Sequence, residues 1–207
     1  MPNYHVPLLP DHVYHLFNRA IGSEKLFKTD DNYRYFLFKM AQHILPVADI
    51  FTYSLLPNHF HLLIRIKHEN HIISYFELKK RKKFNSARDP LADFVMEQFS
   101  NWLNGYAKAF NKMYDRKGAL FLDYLKRSVV EKDSDLTSFI FYIHKNAVHH
   151  GICKTIGVWR YDGYQAILSK KPTLLLRDEL IEWFGSKELL VKFHNQPVEL
   201  KNIDLNL

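Results

Sequence analysis

From residue 12 to 19 the chain reads HVYHLFNR, with Val13, His15 and Phe17 on one side of an extended segment, an alternation that predicts a strand. Thr29-Asp-Asp-Asn then supplies cap-type and acidic residues. Tyr33, Phe36, Leu37, Met40, Ala41 and Ile44 follow at helical spacing up to Pro46, which predicts a helix stopped by proline. Two apolar runs, 47–56 and 59–66, predict strands joined by a tight turn at Pro57-Asn58. Val95, Phe99, Trp102, Leu103, Tyr106, Phe110 and Met113 lie mostly three or four apart and predict a long amphipathic helix. Residues 119–130 predict a fourth strand, and a further helix runs to about His149, where Gly151 closes it. Beyond it, VWRYDGYQAILSKKP is irregular and aromatic-rich, and two short helical patterns flank Gly185.

The order strand, helix, strand, strand, helix, strand, helix suits an α+β sandwich, an antiparallel sheet with helices packed on one face. The division expected is a core over residues 1–170 and a short helical C-terminal extension over 171–207.

Composition narrows the class. A chain of 207 residues can bury one sizeable core, and 47% hydrophobic with 15% aromatic content excludes a disordered chain. The 29 Lys and Arg against 22 Asp and Glu leave a net charge of +7, which suits a polyanionic partner, nucleic acid ahead of an acidic membrane surface. Cys153 is the one cysteine, so an intrachain disulfide and a thiolate zinc cluster are both excluded. The N-terminus lacks a basic start followed by an apolar run, and no segment approaches the roughly 20 apolar residues of a membrane span, so a cytoplasmic protein is expected.

Candidate chemistry sits in two elements. In a strand, residues two apart share a face, so His59 and His61 project together while Phe60 and Leu62 point the other way. Such a pair either meets a metal ion or forms ordinary satisfied core histidines. In SFIFYIHKNAVHHG, Tyr142 and Asn146 are four apart and stack at the edge of the stripe made by Leu136, Phe139, Ile140, Ile143 and Ala147. Alone they read first as a core-edge tyrosine whose hydroxyl reaches water and a solvated neighbour. Together with the histidines they form a donor set for a divalent cation, beside which a phenol can attack a phosphodiester. His144, His149 and His150 lie near Asn146 as substitutes or assistants. The run Lys79, Lys80, Arg81, Lys82 and Lys83 reads as an exposed connection, either solvated or neutralising phosphates. Trp159, Tyr161 and Tyr164 either stack on unpaired bases or pack a loop against the core.

PNHFHLL, the later YIHKNAVHHG and the N-terminal VYHLFNRAIGSEKLF resemble the single-tyrosine HUH transposases, particularly the group that includes the REP-associated tyrosine transposases. The resemblance runs over roughly residues 12–164. It implies a ferredoxin-like sandwich whose 1–170 portion is a transposase-like catalytic domain. It also implies metal ligation by His59, His61 and Asn146, with Tyr142 as nucleophile. Relatives cleave and rejoin single-stranded DNA through a covalent 5′-phosphotyrosine link, with Mg²⁺ or Mn²⁺, on hairpin-containing ends and often as homodimers. Arg19 is a candidate DNA contact on the same ground. Two positions depart from the family pattern. Ala147 stands where relatives commonly carry proline, and Trp159-Arg-Tyr-Asp-Gly-Tyr164 stands where they tend to carry Trp-x-x-Ser-Ser-Tyr. The competing expectation is a non-catalytic single-stranded nucleic-acid-binding module on the same kind of sandwich, which gives no reason for the His59, His61, Tyr142 and Asn146 set.

Overall fold

The computed structural model describes residues 4–131 and 133–196. Four strands, β1 (Val13–Arg19), β2 (Ala48–Leu56), β3 (His59–Ile66) and β4 (Lys126–Val129), form one antiparallel sheet in the order β2-β3-β1-β4. Helix α1 (Asp30–Ile44) connects β1 to β2, and α2 (Glu69–Lys80) with α3 (Leu91–Met113) connects β3 to β4. This is the ferredoxin-like sandwich expected from the sequence.

The central strand β3 explains the layering. Seven of its eight residues are buried, so both of its faces need cover. On one face Phe60 packs against Phe36 of α1 at 5.2 Å and Trp102 of α3 at 5.5 Å between ring centroids. Trp102 Nε1–H donates to the Phe36 carbonyl at 3.2 Å, so the indole is buried without an orphaned donor. On the opposite face His61 meets Tyr142 of α4 (Asp133–His149). The two connections of the sandwich thus lie on one face as predicted. Helix α4, which follows the last strand, lies on the other, and the expectation of helices on one face alone is corrected there. The reason is that β3 carries apolar or paired side chains on both sides.

Helix α1 begins where Asn32 Oδ1 accepts the backbone N–H groups of Lys28 and Thr29, at 2.9 and 3.2 Å, with Asp30 and Asp31 in the first turn. Helix α2 was not visible in the sequence, because Ile72 and Phe76 are its only buried positions and make a weak stripe. It absorbs Lys79 and Lys80, and Arg81 ends it with φ 53°. Strand β4 is shorter than the predicted 119–130 run; Asp123 takes φ 58° and breaks the extended path before Lys126.

A register shift between Ile50 and Thr52 marks a bulge at Phe51. It turns two consecutive residues, Phe51 and Thr52, to the α4 face. Phe51 meets Trp183 of α6 (Arg177–Trp183) at 4.4 Å, and Thr52 is hydrogen-bonded to His144 of α4 at 2.7 Å. Helix α5 (Tyr164–Leu168) precedes α6, and α7 (Lys187–His194) follows it. Through Phe193 and His194, α7 packs on Phe141 and His144. The described part of the 171–207 extension therefore covers the α4 face, and its last stretch, 197–207, lies outside the described residues.

Both sheet edges have neighbours. Isolated bridges pair Ile50 with Leu175 and Ser54 with Asp162 along β2, and His5 with Arg127 along β4. Among the described residues, no helix is long and apolar enough to cross a membrane.

Candidate active site

The pleat of β3 aims His59 and His61 at α4, and the one-turn spacing of Tyr142 and Asn146 aims both back at β3. All four converge. His59 Nε2 lies 3.1 Å from Asn146 Oδ1. The rings of His61 and Tyr142 meet at 5.3 Å and 84°. Tyr142 lies one helical turn before Asn146, whose Nδ2 is buried without a hydrogen-bond partner. The group is deeply buried, with exposures of 3% at His59, 1% at His61, 4% at Tyr142 and 0% at Asn146.

Two further histidines complete the surroundings: His15, which the sequence left aside, and His150, which it offered as an assistant. His15 of β1 sits opposite Leu63, two pairs along from Phe17 opposite His61, and its Nε2 lies 2.9 Å from His61 Nδ1. The His150 ring lies over His59 at 4.6 Å, just beyond the end of α4. The signal that could have found His15 was its place on the Val13-His15-Phe17 side of β1. Finding it needed the β1–β3 register, which no single strand encodes. His144 goes elsewhere. It bridges Thr52 and His194 on the far side of α4, and His149 is exposed.

Electrostatics follow burial. Loss of water holds His15 down to about 3 and His59 down to about 4, the latter opposed by the hydrogen bond with Asn146 and reinforced by His150 and Arg19. Burial, and then the neighbouring His15, His59 and His150, hold His61 well below its usual value. All three rings are therefore neutral at pH 7, the state in which imidazole ligates metals. Burial pushes Tyr142 up to about 12, with the Asn146 bond opposing it. Unaided, the phenol stays protonated.

The donor set fits a small cation. His59 Nδ1 lies 2.8 Å from Asn58 Oδ1 and Nε2 lies 3.1 Å from Asn146 Oδ1. Both oxygens only accept, so a neutral ring donates to one alone. With the proton on the shorter contact, Nε2 is a lone pair facing Asn146 Oδ1. Two lone pairs 3.1 Å apart repel each other, yet that is the spacing of adjacent corners around one ion, roughly 3 Å for ligands about 2.1 Å from an octahedral centre. His61 Nε2 is buried without a protein partner, as is Asn146 Nδ2. Among the described residues no three His, Cys, Asp or Glu side chains are grouped to hold a metal ion, so a cation held here would need the carboxamide as its third donor.

Of the basic candidates, Arg19 stands opposite His59 in the β1–β3 register, at the rim of the site. Lys126, which the sequence did not single out, pairs with Phe17 and reaches over its ring at 5.9 Å. The run 79–83 is held by its own surroundings. Lys79 donates to Gln98, Lys80 pairs with Glu97 at 2.7 Å, Lys82 with Asp89 at 2.6 Å and Lys83 with Glu77 at 3.1 Å. The aromatic loop packs inward. Trp159 Nε1–H donates to the Leu55 carbonyl at 2.9 Å, and Tyr161 stacks on Tyr33 at 3.7 Å.

No family model and no curated protein matches the sequence. A solved structure of a REP-associated tyrosine transposase bound to a REP hairpin superposes with a TM-score of 0.60 over 83% of this chain and 89% of that one, at 12% identity. The chain shares the fold of that transposase. A bacterial tRNA(His) guanylyltransferase-like protein in complex with ATP, also 12% identical, covers 86% of this chain and 71% of its own, but its TM-score of 0.37 is too low to indicate a common fold.

Proposed function

We propose that the protein is a metal-dependent transposase-type nuclease and strand transferase, which cleaves and rejoins single-stranded DNA through Tyr142. The observation that carries the reading is the meeting, inside one chain, of a phenol, a carboxamide and two neutral imidazoles whose inner nitrogens lack protein partners suited to them. A non-catalytic binding module has no use for that arrangement. The shared fold with a transposase that holds a DNA hairpin supports the same substrate class.

In this reading His59, His61 and Asn146 hold a divalent cation, with Mn²⁺ suited better than Mg²⁺ by the two nitrogen donors. The bound ion supplies Lewis-acid polarisation of a phosphoryl oxygen and neutralises developing charge. Tyr142 Oη attacks the phosphorus as it gives up its proton. A tyrosyl–phosphate bond forms at the 5′ side, the bond to the 3′ oxygen breaks, and that oxygen takes up a proton. Rejoining reverses these steps with another 3′-hydroxyl. Asn146 lies against His59 and one helical turn from Tyr142, so α4 sets the phenol beside the ligands. Arg19 and Lys126 flank the pocket as phosphate contacts, and Lys79 to Lys83 form a more distant basic segment. Because Tyr142 is 4% exposed, strand docking has to uncover the phenol. The homodimer implied by the resemblance would bring two such sites together, each acting with its own tyrosine. A cytoplasmic, DNA-associated protein fits the charge of +7.

The test is incubation with labelled single-stranded hairpin DNA and Mn²⁺. A protein–DNA adduct that survives denaturation is expected. Binding without an adduct, equal with and without divalent ions, would establish the binding-module reading instead.

A further inference from the structure

We propose that His15 is a positioning residue that fixes the proton of His61 on Nδ1 and thereby leaves His61 Nε2 as a lone pair for the cation. The inference rests on the pocket reading given above.

The geometry is that of a hydrogen bond within a shared plane. His15 Nε2 and His61 Nδ1 are 2.9 Å apart, the ring planes differ by 3°, and the centroids are 5.1 Å apart. The rings therefore meet edge to edge rather than face to face, and donor and lone pair are aligned. Between two neutral imidazoles, one must donate and the other accept. If His15 donated, the proton of His61 would sit on Nε2, a buried N–H with no acceptor around it. If His61 donates, Nε2 is a bare buried lone pair on the ring that meets Tyr142, and a cation satisfies it.

His59 is arranged in the same way by a different neighbour. Its Nδ1 lies 2.8 Å from Asn58 Oδ1, an atom that can only accept. Each histidine of the pair thus has its outer nitrogen tied down, one by a carboxamide oxygen from the β2–β3 turn and the other by an imidazole from β1. Outer partners of this kind orient metal-bound histidines and select their tautomer. His15 is itself held in place, buried against Phe139 at 5.2 Å and against Phe17 at 5.1 Å. The β1–β3 register, which sets Phe17 opposite His61, carries this contact between strands.

The experiment has two readouts. Ring ¹⁵N shifts of His61 in the metal-free protein report the tautomer directly, and direct Mn²⁺ titration reports affinity. The wild-type protein is expected to show the Nδ1–H form. His15→Phe, which keeps the volume but cannot accept, is expected to move the proton to Nε2 and to weaken Mn²⁺ binding about 10–100-fold. His15→Gln, whose amide oxygen can accept, is expected to restore the Nδ1–H form and most of the affinity. A wild-type spectrum with the proton on Nε2, or equal Mn²⁺ affinity in wild type and His15→Phe, would overturn the proposal. If His15→Phe does not fold, the wild-type spectrum and His15→Gln decide. A correct tautomer in a protein that binds no Mn²⁺ would instead refute the cation pocket and leave the His15–His61 relationship standing.

Discussion

The ring of Tyr142 meets the ring of His61 at 84° with 5.3 Å between centroids, and both belong to the same chain. The phenol therefore has its position set by packing before any substrate arrives. Tyr142→Phe removes one hydroxyl and leaves the ring contact, so the fold should change by no more than about 1 kcal/mol. Denaturing gels should show the covalent DNA adduct abolished, while hairpin affinity stays close to wild type. An undiminished adduct would assign the nucleophile elsewhere.

Asn146 is the hinge of the proposed donor set: its Oδ1 lies 3.1 Å from His59 Nε2, and it sits one helical turn from Tyr142. Asn146→Ala should reduce Mn²⁺ affinity at least about tenfold by direct titration. Asn146→Asp keeps an oxygen donor and should retain binding. Equal affinity in the Ala variant would remove the carboxamide from the ligand set.

Acid should weaken the fold through a second, fully bonded histidine pair. His144 Nδ1 lies 2.9 Å from His194 Nε2, and His194 Nδ1–H donates to the Leu190 carbonyl at 2.8 Å. His144 Nδ1–H is then the donor to His194, and Thr52 donates to His144 Nε2, so both rings are neutral and satisfied. Burial, with the neighbouring His194, holds His144 well below its usual value, and burial lowers His194 to about 4 against the pull of the Leu190 carbonyl. Above pH 6.5, the ordinary value, both rings are neutral in folded and unfolded chains alike and pH has no leverage through them. As pH falls below that point the unfolded chain takes up protons that the fold refuses, and stability drops by up to about 1.4 kcal/mol per pH unit per ring. Urea midpoints should be level from pH 8 to 7 and should fall by pH 5. His194→Leu should lower stability by about 1–3 kcal/mol even at pH 8, because His144 loses its acceptor.

Gly163 is needed for close approach rather than for a special φ, which is −75°. A Cβ there would sit 2.3 Å from Thr52 Oγ1 and 3.3 Å from the Tyr53 nitrogen. Thr52 cannot swing aside without losing His144. Gly163→Ala should therefore cost about 1–3 kcal/mol by chemical denaturation. A neutral result would mean that the loop over β2 shifts freely.

Charge at the rim and charge in the basic run should behave differently. Arg19→Ala and Lys126→Ala should each reduce the salt dependence of single-strand binding by about 0.7 in log–log slope, the value of one phosphate contact. Lys80 and Lys82 are already engaged by Glu97 and Asp89, so their combined replacement should change the slope by less than one contact. A larger change would move the DNA path toward α2.

The strands around the site were readable because their local pattern already carries their burial. The 59–66 run is wholly apolar on its Phe60, Leu62, Ile64 and Ile66 side, and the turn at Pro57-Asn58 falls between two strand-like runs. Tyr142 and Asn146 were readable from a four-residue spacing that holds wherever the helix packs. Helix α2 was not, because two buried residues make no clear period, and Arg81 ends it with a left-handed residue that no sequence rule demands. His15 was read only as one side of a strand, since nothing within residues 12–19 says which residue of a distant strand lies opposite.

By itself the sequence determined the three long strands, the three long helices and the pairing of histidine with histidine and of tyrosine with asparagine, because period and spacing are properties of a single element. Tertiary structure alone decided which face α4 covers, how the Phe51 bulge hands Thr52 to His144, and that His15 reaches His61. These depend on register and layer order, and such long-range contacts are chosen by how whole faces bury against one another, which no stretch of local sequence encodes.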